Sequence, residues 1–242
     1  MSGRELPLRI HAFQSMGTVD GPGVRAVIFT QGCPLRCACC HNPDTWDPRG
    51  GEETDIDTLI RRIERCRPYF GPRGGVTVSG GEPLMQAEAL LPLFRRLREK
   101  GIHTALDTSG CRLDDAVRAL LAETDLVLLD YKYTNDEDYR RYVGMPMAGA
   151  DRFLACLQEM EKETWLRHVY IPGLNDNDDS LARLQETGEA HSCVSRIEIL
   201  PFRRLCLEKY AELGIPFPLA DTPEPTAADL AVLQEKYPML FI

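Results

Sequence analysis

The chain has 242 residues, 43% apolar and 27% charged, which is ordinary globular usage and excludes wholesale disorder. Lys and Arg number 28 against 37 Asp and Glu, and the net charge of −9 argues against nucleic acid or an anionic membrane as partner. No apolar run approaches the ~20 residues of a membrane span, and the first ten residues carry Arg4, Glu5 and Arg9 without an apolar stretch, so no signal peptide and a cytoplasmic location are expected.

Short β-branched runs predict strands at 24–30, 76–79, 103–107, 126–131, 165–171 and 196–200. Between the first two, Ile56, Leu59, Ile60 and Ile63 recur at helical spacing behind Thr54 or Asp55 as N-cap. Leu90, Phe94 and Leu97 mark a second helix, stopped at Gly101. Further helices are expected at 113–123, 151–162, 178–188 and 226–237, the last capped by Thr226 with Asp229 reaching back. No repeat, low-complexity tract or Ser/Gly linker interrupts the chain, so 1–242 reads as one domain.

Six alternations of strand and helix imply βαβ units and a parallel sheet, either doubly wound or barrel-like. The polar motifs follow successive strands: Cys33, then Gly80-Gly81-Glu82, then Asp107-Thr108-Ser109-Gly110, then Asp130 and Lys132, and finally Arg203. A barrel gathers all its strand ends on one face, whereas a doubly wound sheet builds its site at one switch point. Six strands are too few to close an eight-stranded barrel. The expected fold is therefore α/β, an incomplete parallel (β/α)6 barrel with an open side.

Cysteines stand at 33, 37, 39, 40, 66, 111, 156, 193 and 206, and four of the nine fall within eight residues. An odd number, without an export signal, does not read as a disulfide framework. Cys66, Cys111, Cys156, Cys193 and Cys206 are isolated and read as small buried hydrophobes. Cys33, Cys37 and Cys40, spaced CxxxCxxC, suit a [4Fe-4S] cluster that leaves one iron without a cysteine, an open position at which something is bound and transformed. Zinc or an unmetallated loop are the alternatives, although a structural zinc site usually adds a second ligand pair, and none follows. Cys33, Cys37 and Cys39 also form CxxxCxC. In an extended loop the side chains of Cys39 and Cys40 would point in opposite directions, so only one of them should reach the cluster.

Cys33-x3-Cys37-x2-Cys40 resembles the signature of the radical S-adenosylmethionine enzymes. Val19-Asp20-Gly21-Pro22-Gly23-Val24-Arg25, Gln31-Gly32-Cys33, Cys40-His41-Asn42, Asp44-Thr45-Trp46-Asp47, Gly74-Gly75-Val76-Thr77-Val78-Ser79-Gly80-Gly81-Glu82, Gly101-Ile102-His103-Thr104 and Leu106-Asp107-Thr108 narrow the likeness to the glycyl-radical-enzyme activases, over residues 10–202. The stretch 42–54 is too short for the ferredoxin-like insert that some activases carry. The resemblance implies a full or partial parallel α/β barrel. It also implies S-adenosylmethionine held by its methionine groups on the open iron, one-electron cleavage to a 5′-deoxyadenosyl radical, and hydrogen abstraction from a partner's glycine. The implied partner is a glycyl radical enzyme of the pyruvate formate-lyase type, with a flavodoxin or ferredoxin-type electron donor.

The same resemblance assigns roles. Cys33, Cys37 and Cys40 would be the ligands. Cys39 occupies a usually aromatic position beside the adenine, followed by His41 and Asn42. Gly81 and Glu82 would meet the methionine amino group. Asp130-Tyr131-Lys132 is similar to the family's Asp-Leu-Lys segment at the methionine and ribose, and Arg167 would stand near cofactor and substrate. Arg203 replaces a histidine that follows Leu-Pro-aromatic in the pyruvate formate-lyase branch. Asp107, Thr108, Asp130 and a carbonyl near Leu128 match a site for Na+ or K+, and Asp20 a residue near the substrate glycine. Plainer readings stand beside these: a turn at Gly80-Gly81-Glu82 and at Asp20-Gly21-Pro22-Gly23, a strand-end ion pair for Asp130 and Lys132, a cap or turn role for Asp107, and a surface position for Arg167. The rival functions are a radical enzyme acting on a small molecule or nucleoside, and a zinc-stabilised binding protein without chemistry.

Overall fold

Each of the six predicted strands and six predicted helices forms, within a few residues of its expected bounds, in a computed structural model that describes residues 6–241. Arg4 and Glu5 of the amino-terminal reading lie outside the described residues. The elements are, in chain order, β1 (Leu8–Gly17), β2 (Arg25–Thr30), β3 (Glu52–Thr54), α1 (Ile56–Cys66), β4 (Gly75–Gly80), α2 (Ala87–Glu99), β5 (His103–Thr108), α3 (Asp115–Ala122) and β6 (Leu126–Asp130). There follow α4 (Asp136–Tyr142), α5 (Ala148–Glu159), β7 (Thr164–Tyr170), α6 (Asp178–Ala190), β8 (Val194–Pro201), α7 (Leu207–Glu212), α8 (Ala227–Lys236) and β9 (Leu240–Phe241).

The chain divides into two compact units. The first comprises Thr45–Leu128 and the residues before Leu35; the second comprises Leu35–Asp44 and everything from Leu129 onward. In the first unit the strand order is β3-β1-β2-β4-β5-β6. β2 runs parallel to β4 in unbroken register from Arg25↔Gly75 to Thr30↔Gly80, and β4 runs parallel to β5. Arg25, Ala26, Val27 and Ile28 are buried in succession, as expected of a parallel strand covered on both faces. α1 turns Ile56, Leu59, Ile60 and Ile63 inward, and the Asp55 carboxylate caps it by accepting the Thr58 N–H at 2.7 Å. α2 ends where predicted, with Gly101 at φ +63°, a left-handed conformation that glycine adopts at little cost.

In the second unit β7 and β8 are parallel, and β8 runs parallel to β9. α8 carries the expected capping box, Thr226 and Asp229 each satisfying the other's backbone N–H.

The unpredicted elements are β1, β3, β9, α4 and α7. β1 is antiparallel to both β2 and β3, and its register slips twice, which breaks the alternation that would have revealed it. β3 and β9 are too short to show a period, and α4 is almost wholly polar, with Tyr139 its buried residue. Among the described residues, no helix is long and apolar enough to cross a membrane.

Candidate functional site

In the first unit the loop after β2 and the turn after β4 are joined through their backbones. Gly81 N–H donates to Thr30 O and Glu82 N–H to Gly32 O, both at 2.9 Å, while Gly32 N–H reaches Thr45 O at 2.7 Å. The chain immediately before Cys33 is thereby fixed by main-chain bonds. The Glu82 side chain is 1% exposed, and its carboxylate accepts from the Thr108 hydroxyl at 2.5 Å, the Leu84 N–H at 3.1 Å, the Ser109 N–H at 3.0 Å and the Ser109 hydroxyl. A buried carboxylate survives only with such compensation.

Asp107 accepts from the Ser79 hydroxyl at 2.7 Å, and Thr108 Oγ1 accepts the Gly110 N–H at 3.1 Å. Leu128 is fully buried in β6. Asp20 enters through its main chain: its carbonyl accepts from the Thr77 hydroxyl at 2.6 Å, which in turn accepts from Arg25 Nε at 2.5 Å. Arg25 is fully buried, also donating to Val76 O at 2.7 Å and Pro22 O at 3.1 Å, so the glycine-rich loop hangs from an arginine inside the core. Cys33 is half-buried, and so is Cys111, which corrects its reading as a buried filler. Burial pushes the Cys111 thiol up to about 12, and the charges of Glu82 and Cys33 add to that. The other four isolated cysteines are buried as expected.

The second unit holds Cys37, Cys39 and Cys40. Cys40 N–H donates to Cys37 O at 3.1 Å, closing a turn, so the loop is not extended and strand-like alternation does not separate Cys39 from Cys40. Surroundings separate them instead. Cys39 is buried, and burial raises its thiol to about 11, opposed by Lys132 and reinforced by Cys40 and Asp130. Cys40 is half-buried and bears electrostatically on Cys206 and Tyr210. The turn is tied down by Ala38 N–H to Tyr142 O at 2.7 Å and by Arg36 N–H to Val143 O at 3.4 Å, at the end of α4.

Asp130 and Lys132 form the plain ion pair, Nζ to Oδ2 at 2.6 Å, with side chains 27% and 14% exposed. Burial works to lower the Lys132 ammonium, but Asp130, Cys37 and Cys39 hold it well above the ordinary lysine range. Tyr131 turns the other way. Its hydroxyl donates to Asp151 on α5 at 2.8 Å, and the ring lines a cavity of about 370 Å³ with Arg183, Glu186 and His191, apart from the Asp130–Lys132 pair. Asp130 is the last residue of β6, and the division falls in the segment that follows it. The segment's backbone is pinned by β7: Tyr131 N–H donates to Arg167 O at 2.9 Å, and His168 Nδ1 reaches Tyr131 O at 2.7 Å. A carbonyl only accepts, so that nitrogen carries the proton, and Nε2 accepts from Asn175 at 3.1 Å. Full burial holds the His168 imidazole down at about 4.

Arg167 is 7% exposed, and the anion that its burial requires is Glu198 on β8, at 3.0 Å. This overturns the surface reading. His41 Nε2 donates to Arg203 O at 2.8 Å, and Lys209 on α7 binds Asn42 Oδ1 at 2.8 Å and Asp44 at 3.0 Å. The Arg203 guanidinium is taken by Glu224 at 3.1 Å. His168, Glu198, Lys209 and Glu224 were not singled out in the sequence, since nothing in their local spacing marks a partner so distant in the chain.

A protein-family model described as a 4Fe-4S single cluster domain matches residues 19–144. The chain is 42% identical over 214 residues to the pyruvate formate-lyase-activating enzyme of Clostridium pasteurianum, covering 88% of this chain and 90% of that one. It is 43% identical over 224 residues to the enzyme of the same name from Staphylococcus aureus strain USA300, covering 89% of each. Among solved structures, Streptococcus suis SuiB bound to S-adenosylmethionine aligns with a TM-score of 0.68 at 15% identity, over 88% of this chain and 46% of that one. A domain of a pyruvate-formate lyase-activating enzyme from Bacteroides vulgatus aligns with a TM-score of 0.55 at 20% identity, over 70% of this chain and 98% of that one. These structural likenesses bear out the partial-barrel α/β fold class.

Proposed function

The chain belongs to the family of pyruvate formate-lyase-activating enzymes, and we propose that it installs the radical of a glycyl radical enzyme of the pyruvate formate-lyase type. The family works with a [4Fe-4S] cluster and S-adenosylmethionine, whose reductive cleavage supplies the radical that removes a hydrogen atom from glycine. The donor set fits such a cluster. Cys33, Cys37 and Cys40 supply soft sulfur donors, and Cys37 acts electrostatically on the Lys132 ammonium, a positive charge that favours its thiolate. Those closely spaced thiols, one of them acting on the largely covered Lys132 ammonium, are the observation that carries the reading.

The protein's own contribution is positioning. Cys33, Cys37 and Cys40 are the proposed ligands on their sequence spacing. In the second unit the main chain at Asp130–Lys132 is pinned by Arg167 and His168, so that a carboxylate and an ammonium stand ready for the two charges of a methionine moiety. In the first unit, buried Glu82 holds the Gly81 turn rigid beside Gly32. A flavodoxin or ferredoxin-type protein is the proposed electron donor, and the cytoplasm the proposed location. The test is anaerobic reconstitution followed by reduction with S-adenosylmethionine and a pyruvate formate-lyase-type partner. A glycyl radical signal by electron paramagnetic resonance is expected; cofactor cleavage without that signal would redirect the activity to another substrate.

A further inference from the structure

Tyr133 is 1% exposed, and its hydroxyl has no hydrogen-bond partner among the described residues. Leaving a buried hydroxyl unpaired costs about as much as a lost hydrogen bond, so a tyrosine where phenylalanine would pack equally well calls for a partner. The ring is fixed, stacked on Tyr142 with centroids 5.2 Å apart and edge-on to Tyr139 at 6.4 Å. Tyr142 is also the residue whose carbonyl holds Ala38, between Cys37 and Cys39. The phenol is pushed above the usual tyrosine range first by burial and then by the charges of Cys39, Tyr142 and Cys37.

We propose that Tyr133 is a positioning residue whose hydroxyl donates a hydrogen bond to a sulfur of the Cys37–Cys40 turn when that turn carries its cluster. The proposal rests on the cluster reading above. A neutral thiol is a weak acceptor and a cluster-bound thiolate a much better one, so the buried donor finds its partner only in the loaded protein. A hydrogen bond to a ligand sulfur stabilises the more negative, reduced cluster and raises its potential. Tyr133 would thus ease the one-electron reduction with which the activity begins, without touching either reactant.

The test is Tyr133→Phe, which keeps the ring and its stacking and removes only the hydroxyl. Iron and sulfide content should stay at the level of the unmodified protein, while the midpoint potential from an anaerobic redox titration falls. The expected change is up to about tenfold in the reduced-to-oxidised ratio at fixed poise, or 59 mV for one electron. Melting adds a readout that does not depend on activity. In the cluster-free protein Tyr133→Phe should melt no lower than the original, because the hydroxyl is unpaired there. In the loaded protein it should melt lower. Normal cluster content with an unchanged potential and equal melting shifts in both states would overturn this inference alone. An unmodified chain that takes up no cluster would overturn the functional reading and this inference with it.

Discussion

Gly81 has no room for a side chain because of Gly32: a Cβ on Gly81 would lie 2.4 Å from the Gly32 carbonyl oxygen. That oxygen also accepts the Glu82 N–H, so the glycine serves a backbone-to-backbone contact beside the cysteine loop.

Gly81→Ala should therefore push the turn off Gly32 and loosen the chain entering Cys33. Overpacking of this kind costs about 1–3 kcal/mol. Denaturant midpoints should fall accordingly, and iron uptake on anaerobic reconstitution should drop. A variant with unaltered midpoint and iron content would show that the two segments can part freely.

Glu82→Gln tests the buried carboxylate. Glutamine keeps one acceptor oxygen and sets an NH2 group, a donor, against the donors of either Thr108 or Ser109. Unpaired buried donors cost about 1–3 kcal/mol, so the melting temperature should fall by several degrees. If Glu82→Gln melts like the original while cofactor affinity by calorimetry is lost, the carboxylate serves the ligand and not the fold.

His168 predicts a pH dependence of a definite sign. Its folded pKa, about 4, lies below the ordinary 6.5. The unfolded chain therefore binds the proton first, and stability is lost as pH falls from about 6.5 through 4. The loss is on the order of 3 kcal/mol at 1.36 kcal/mol per unit. Chemical denaturation between pH 7 and 4 should show this acid limb, and His168→Gln should flatten it while lowering stability at pH 7. An equally steep limb in the variant would assign it to carboxylates instead.

How much of this was legible in the sequence follows the range of the forces involved. Asp55, Gly101, Thr226 and Asp229 act on neighbours within a few residues, and their caps were readable from spacing. The thiol motif was equally local. β1 escaped because its bulged pairing with β2 blurs the period, and Glu198 because only folding brings it to Arg167. The motif Asp130-Tyr131-Lys132 was read as one unit, yet Tyr131 goes to Asp151 while the ionic pair stays together. Arg25 could be seen as part of a motif but not as a core residue, since sequence gives no sign that Thr77, Pro22 and Val76 will satisfy it.

Cys39 and Cys40 remain the sharpest test of the cluster loop, because two adjacent thiols offer two spacings. The turn closed by Cys40 N–H and Cys37 O removes any argument from alternation and leaves one from surroundings. Cys39 is buried, and the charges of Lys132 and Asp130 act on its thiol, a setting that accepts a small apolar side chain. Cys40 is half-buried, and its charge acts on Cys206 and Tyr210. Cys39→Ala should then retain full iron and sulfide and lose only about 1 kcal/mol from the deleted sulfur, as for other small truncations in a core. Cys40→Ala should lose the cluster and all cleavage of S-adenosylmethionine, because three ligands leave no redundancy. Anaerobic iron and sulfide analysis of the two variants decides between them, and a cluster surviving in Cys40→Ala but not in Cys39→Ala would reverse the assignment to CxxxCxC.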